Sequence, residues 1–444
     1  MQIVRNRCFC SKIGVFTLLV ISVGCEKAEV KPVPKEVPVV TAPKIQPVVA
    51  VDDPVAIEAL SKAGFLFKRN SAGVVTEFSI ASQTDISEAF VHLVGMPSVE
   101  VAVFTGPGIS DKGMQAIAKL PKLKRLDLTD SAIGPETLKS VGEIKSLEAL
   151  FLRRTSVTDE SLASISALPK LRAIDLRNSN ISDAGMANIA KIKTLSDIQL
   201  EKSKVTDVGL AELKSLPLKS LNVNYCTTIS DASMPMIGAM KTLESIQMDA
   251  TKITDKGMAA LTALSNLKRL RIRDTDVTGD GIKQIAALKK IERLELRGTS
   301  LDDAGIAVIA SLPAVNYLDI AECRLVTAAG MKSLASLKEL TYLGFWETKF
   351  NDGSMVAISG LTKLTELDLK STAITNVSID SLLKLSELQT LSLSGTNLTD
   401  DAFKQLTKLT KLASLNVSNT KIGSDIVDLL KEANPRLNVV EYEE

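Results

Sequence analysis

From residue 75 onward, apolar and polar positions follow one recurring pattern, Leu-x-x-Leu-x-Leu. It is clearest at Leu123-Leu126-Leu128, Leu147-Leu150-Leu152 and Leu171-Ile174-Leu176. Further units open at Leu195, Leu218, Leu243, Leu267, Ile291, Val315, Leu340, Leu364, Leu388, Leu412 and Leu437, with Val75 and Val99 as looser members. That makes sixteen units of about 24 residues, with slips of one residue. The x-Leu-x-Leu run alternates with period two and predicts a strand with one buried face. Apolar residues three apart follow, as in Leu162-Ile165-Leu168, Met186-Ile189-Ile192 and Met258-Leu261-Leu264. They predict a helix covering the strand. No unit can bury its own apolar face, so each must stack on its neighbours.

Polar positions recur in the same register. Eight residues after the first Leu comes a small group, such as Ser131, Thr155, Ser179, Cys226, Thr251, Cys323 or Thr420. A turn there buries carbonyls, and a row of short hydroxyls can satisfy them, with Cys fitting the same volume. A Ser/Thr-Asp pair then opens the helix, as at Thr158-Asp159 and Thr254-Asp255. The hydroxyl caps free amides, and the carboxylate meets the positive end of the helix dipole. The aspartates form a row of nine: Asp111, Asp159, Asp183, Asp207, Asp231, Asp255, Asp303, Asp352 and Asp400. Nine capped helix starts explain this row better than a chain of calcium sites.

The units resemble leucine-rich repeats of the ribonuclease-inhibitor-like, cysteine-containing subclass. The Cys226-Thr-Thr-Ile-Ser-Asp and Cys323-Arg-Leu-Val-Thr segments carry that likeness, each one residue longer than its Thr counterpart. The second departs from the pattern, with Ala328 in place of Asp. The resemblance spans roughly residues 75–444. It implies an α/β, right-handed parallel leucine-rich-repeat solenoid, with strands inside, helices outside, and a binding function without catalysis.

The N-terminal stretch reads differently. Arg5, Arg7 and Lys12 precede an uncharged apolar run from Ile13 to Val23. Its length as a helix, ~16 Å, is short of a ~30 Å hydrocarbon core. Residues 1–24 thus read as a signal peptide. Ser22-Val23-Gly24-Cys25 resembles a bacterial lipobox, which implies lipidation of Cys25, although Ser22 stands where such motifs usually carry Leu. Simple export and an uncleaved anchor are the alternatives. Residues 25–52 carry Pro32, Pro34, Pro38, Pro43 and Pro47 among Val and Lys, a semi-rigid stalk. Residues 53–74 form an N-terminal cap and residues 75–444 the repeat domain. The expected location is the cell envelope, with membrane attachment through a lipid rather than a spanning helix.

Composition narrows the chemistry. Net charge is +1, which argues against broad capture of nucleic acid. His92 is the only histidine, so the usual zinc sets lack their ligands. Neither a phosphate loop nor a Gly-x-Ser-x-Gly elbow occurs. No catalytic residues, metal or cofactor are expected. Cys226 and Cys323 fall four strands apart, beyond disulfide reach.

Binding is what remains. Strand residues pointing away from the core fall two, four and six places after the first Leu. In successive units these are Arg269, Arg271 and Arg273; Arg293, Glu295 and Arg297; Tyr317 and Asp319; then Tyr342 and Trp346. Trp346 is the only Trp, and two of the four Tyr lie here. These residue types dominate binding hot spots. The expected partner is a protein, possibly an acidic one, on the concave face; an anionic glycan or cell-wall polymer is the alternative. Cross-strand pairing of Arg271 with Glu295, and of Arg297 with Asp319, would partly neutralise the patch. Phe151, Arg153 and Arg177 form a smaller cluster.

Overall fold

The computed structural model describes residues 51–442. The expected signal peptide, Cys25 and nearly all of the expected stalk lie outside them. The repeats build one open sheet of 17 strands. The first strand, Leu66–Arg69, pairs antiparallel with Val75–Ala81. Every later strand pairs parallel with the one before, as in the pairing of Val75–Ala81 with Val101–Thr105 and of Arg269–Arg271 with Arg293–Glu295. Sixteen strands therefore match the sixteen units, and the extra one belongs to the cap.

Most strands have three residues, and the central one is buried: Leu126, Leu150, Ile174, Leu270, Leu294 and Leu318 are all at most 1% exposed. Together with the helical positions they form one continuous apolar core. Each fully buried Leu or Ile contributes about 1.5–3 kcal/mol, and none of it is available to an isolated unit. The covering segments are short, alternating between α-helix (Asp183–Ile189) and 3-10 helix (Ser161–Ile165). A 24-residue unit leaves room for little more than one or two turns.

The hydroxyl row behaves as its spacing implies. Thr251 donates to the Met248 carbonyl at 2.7 Å, and Thr275, Thr299 and Thr372 repeat the bond. Cys226 and Cys323 are buried and unbridged. Their thiols reach one unit back, to the carbonyls of Leu200 and Leu296, at 3.2 Å each. One place before the hydroxyl the chain turns through the left-handed region, at Asp130, Arg154, Lys202, Asp274, Glu322 and Glu347 (φ 53–60°). Gly298 and Gly395 hold the same place without the steric cost of a β-carbon.

The aspartate row does more than meet helix dipoles. Thr206 donates its amide to Asp183 at 2.7 Å and its hydroxyl to the second carboxylate oxygen at 2.6 Å. The same hydroxyl accepts from the Val208 amide and so caps its own helix. Asp231–Thr254, Asp255–Thr278 and Asp352–Thr375 repeat the arrangement. Each carboxylate thus fastens its unit to the next one.

The two ends are closed by different means. At the N-terminal end, Pro54–Lys62 is a helix capped by Asp53, and the Asp52 carboxylate accepts the Val75 amide at 2.8 Å. Phe65, Phe78, Phe90 and Phe104 pack with ring centroids 5.3–6.4 Å apart. His92 sits half-buried on the adjoining 3-10 helix. At the other end, the helix Ser424–Ala433 lays Ile426, Val427 and Leu430 on the last unit, and Asn438–Val440 is the edge strand.

Candidate functional site

Sheet register brings every residue of the expected patch together. Arg269, Arg293, Tyr317 and Tyr342 are consecutive partners across four strands, and Arg271, Glu295, Asp319 and Gly344 form the neighbouring row. Arg273, Arg297 and Trp346 follow two residues beyond that second row, on the same strands' continuations. All these side chains stand on the sheet face turned away from the helices, because the intervening Leu270, Leu294, Leu318 and Leu343 point into the core.

The arginines are not bare charges. Glu295, 3% exposed, accepts from Arg269 Nη2 at 2.8 Å and Arg293 Nε at 2.6 Å, with Arg271 Nε at 3.7 Å. Asp249, fully buried, accepts from Arg271 Nε at 2.6 Å and from Arg273 through both Nε (2.8 Å) and the backbone amide (2.9 Å). Burial opposes the Arg273 charge, but the Asp249 bonds outweigh it and hold the guanidinium above its ordinary value. Arg271 has Asp249 as a second partner beside the expected Glu295. Arg297 does not pair with Asp319; its Nη2 lies 2.6 Å from Glu322. Glu322 occupies the left-handed turn of the next unit, which turns its side chain toward Arg297.

Asp249 and Glu322 were absent from the sequence-derived set. Asp249 stands six places after Leu243, so the register rule reaches it. Its strand neighbours Ser245 and Gln247 carry no charge or aromatic ring that would mark the unit in the sequence. Glu322 lies outside the strand positions, and only the turn geometry reveals it.

The arginines also organise the aromatics. The Arg293 guanidinium lies 3.5 Å over the Tyr317 ring, and Tyr317 stacks on Tyr342 at 3.9 Å and 5°. Arg297 lies 4.4 Å over Trp346, with Lys370 at 5.5 Å. Tyr317 is thus held between Arg293 and Tyr342, Trp346 has Arg297 and Lys370 over it, and all three rings are half-buried. Burial raises the Tyr317 hydroxyl above its ordinary value, and burial plus the nearby Asp319 raises that of Tyr342. Both rings stay neutral.

Asp319 stands apart. It is 8% exposed, and its carboxylate accepts the Ala321 amide at 3.1 Å. Burial pushes it above the usual carboxylate range, helped by the charges of Glu295 and Asp368, against the opposing pull of the Ala321 amide and the Arg273 charge.

The smaller cluster is partly neutralised, since Asp130 also holds Arg154. Arg177 pairs with Asp175 at 2.7 Å and Arg153 with Asp130 at 3.5 Å, while Arg125 lies 4.1 Å over Phe151. Among the described residues, no group of His, Cys, Asp or Glu is arranged to hold a metal ion.

The comparisons agree on the architecture. A family model described as leucine-rich repeat region matches residues 107–355, and another described as leucine rich repeat matches residues 360–383. A leucine-rich-repeat protein from Leptospira interrogans is similar at 19% identity and a TM-score of 0.52, over 78% of this chain and 91% of that one. The ectodomain of the Arabidopsis receptor kinase HAESA, solved with an extended IDA peptide hormone, is similar at 14% identity and a TM-score of 0.50, over 89% and 75%. An internalin from Listeria monocytogenes shares 18% identity at a TM-score of 0.49, over 82% and 94%. No curated protein matches the chain.

Proposed function

This chain belongs to the leucine-rich-repeat family, and from that premise we propose that it is a non-enzymatic scaffold that binds a protein or peptide on the outward face of its sheet. The observation that carries the reading is the set of aromatic groups on one sheet face, the Tyr317–Tyr342 stack packed under Arg293 and Trp346 packed under Arg297. Aromatic side chains that are already ordered lose little conformational freedom on binding, so more of the contact energy appears as affinity. A peptide ligand on such a scaffold has a parallel in the HAESA ectodomain complex. The carboxylates Asp249, Glu295 and Glu322 offset three of the five arginine charges, which leaves less positive charge for an anionic glycan or an acidic partner than the arginine count alone implies. The proposed setting is the cell envelope, with a lipid on Cys25. Among the described residues no helix is long and apolar enough to cross a membrane.

The test is to pan the immobilised full chain against a random peptide library, then titrate enriched peptides against the parent and a Tyr317→Ala, Trp346→Ala double variant. Loss of about tenfold or more in affinity (~1.4 kcal/mol), with an unchanged melting temperature, is the expected result. Equal affinity for both forms would remove this face from the reading. Arginine-to-alanine variants suit the test poorly, because they strand Asp249 or Glu295 as buried, unpaired charges.

A further inference from the structure

Resting on the reading of the sheet face as a binding surface, we propose that its tyrosine–tryptophan half receives a basic side chain of the partner, a lysine ammonium or arginine guanidinium, with Asp319 as counter-charge. The central row of the patch runs Glu295, Asp319, Gly344, Asp368. Glu295 has its arginines. Asp319 is almost as buried, yet among the described residues no Lys or Arg nitrogen lies within ion-pair distance of it, and a backbone amide is its hydrogen-bond donor. A buried carboxylate without a cation is costly to a fold, and a cation brought by a partner removes that cost.

Gly344 supplies the room. A β-carbon there would lie 3.1 Å from Asp319 Oδ1 and 3.0 Å from the Tyr342 hydroxyl, so glycine keeps a notch open beside the carboxylate. Asp319 and Asp368 flank this notch from the two adjoining strands, about 10 Å apart at the backbone, given ~4.8 Å per strand. One face of the Tyr342 ring is taken by Tyr317, and its register partner on the opposite side is the exposed Glu366. An aromatic wall, a buried carboxylate and further acidic groups at the rim are the chemistry that selects an organic cation. At this notch charge complementarity therefore favours a cation, even though Arg273 acts on Asp319 and Arg297 and Lys370 lie over Trp346.

Trp346 is the chain's only Trp, so its emission reports on the site directly. The probes are a short capped lysine-containing peptide and two controls, its Nε-acetyl-lysine and its glutamate counterparts, titrated into the full chain at low ionic strength. The expected result is a saturable change in Trp346 emission with the lysine peptide, at least tenfold weaker with either control. Asp319→Asn keeps an acceptor for the Ala321 amide and should weaken the lysine peptide about tenfold. Gly344→Ala should weaken it comparably without altering charge. No response to the lysine peptide at millimolar concentration, equal binding of the glutamate peptide, or an Asp319→Asn variant with parental affinity would each overturn the proposal. If panned peptides prove acidic yet still depend on Trp346, the binding face stands and the cation site falls. If none depends on Trp346, both readings fall.

Discussion

Two sets of aspartates run through the repeats, and they are held in opposite ways. Those at the helix starts, such as Asp183, Asp231 and Asp352, each accept an amide and a hydroxyl from the next unit. Those on the sheet face, Asp249 and Asp319, are deeper, and their surroundings differ from strand to strand. Asp249 is ion-paired with two arginines, whereas Asp319 makes no ion pair among the described residues and feels only the more distant charge of Arg273. The first set recurs because every unit faces the same stacking problem. The second is idiosyncratic, and position-specific chemistry in a repeat protein is where specificity is expressed.

The largest effect expected from breaking either set lies on the sheet face. Asp249→Ala leaves Arg271 and Arg273 crowded together, with about one-fifth of each side chain exposed. Removing one partner of such a pair should cost about 3 kcal/mol in chemical denaturation. A cost below about 1 kcal/mol would mean that these arginines are effectively solvent-held, and the contrast between the two sets would weaken.

The stapling set is probed through the glycine that stands two residues after five of the nine aspartates. At Gly257 an added β-carbon would come within 2.4 Å of the preceding unit's Asp231 carboxylate and 2.8 Å of Met234. Gly257→Ala should destabilise by about 1–3 kcal/mol through this overpacking. Asp231→Ala should cost about 1–3 kcal/mol by leaving the Thr254 amide without its acceptor. The double variant should lose less than the sum by about 1 kcal/mol, since removing the carboxylate removes much of the clash. Strict additivity would show that the glycine answers to something other than the staple.

Much of this was legible beforehand, for identifiable reasons. A strict repeat fixes the register, and register alone aligned Arg269, Arg293, Tyr317 and Tyr342. What escaped was whatever breaks the period or crosses between units. The strand Leu66–Arg69 precedes the first repeat, and its burial lacks clean alternation. The aspartates' bonds reach 23 residues forward, where a local reading of helix starts does not look. Asp319 was expected beside Arg297, but the left-handed turn at Glu322 delivers a better-placed carboxylate. Charge counted along the chain therefore does not tell which carboxylate each arginine meets.

The smallest effects separate the two sets by sign. In Asp352, burial opposes ionisation, but bonds from Ser378 and Thr375 outweigh it, and the carboxyl is held below its ordinary value. Such a group stabilises the fold above the unfolded-state pKa of ~3.9, and the contribution is lost as pH falls through the folded-state value. Asp352→Asn should therefore cost about 1 kcal/mol at neutral pH, and the difference from parent should shrink as the medium is acidified below pH ~4. Asp319 is raised by burial and by neighbouring carboxylates, so its ionised form costs stability above its folded-state value and ceases to do so as it protonates. Asp319→Asn should accordingly melt higher than parent at neutral pH, with the gain vanishing on acidification. Thermal melts of both variants from neutral down to pH ~2 check the pair. A loss at Asp319 like that at Asp352 would mean that its carboxylate is already satisfied within the fold, and no partner's cation would be needed to complete it.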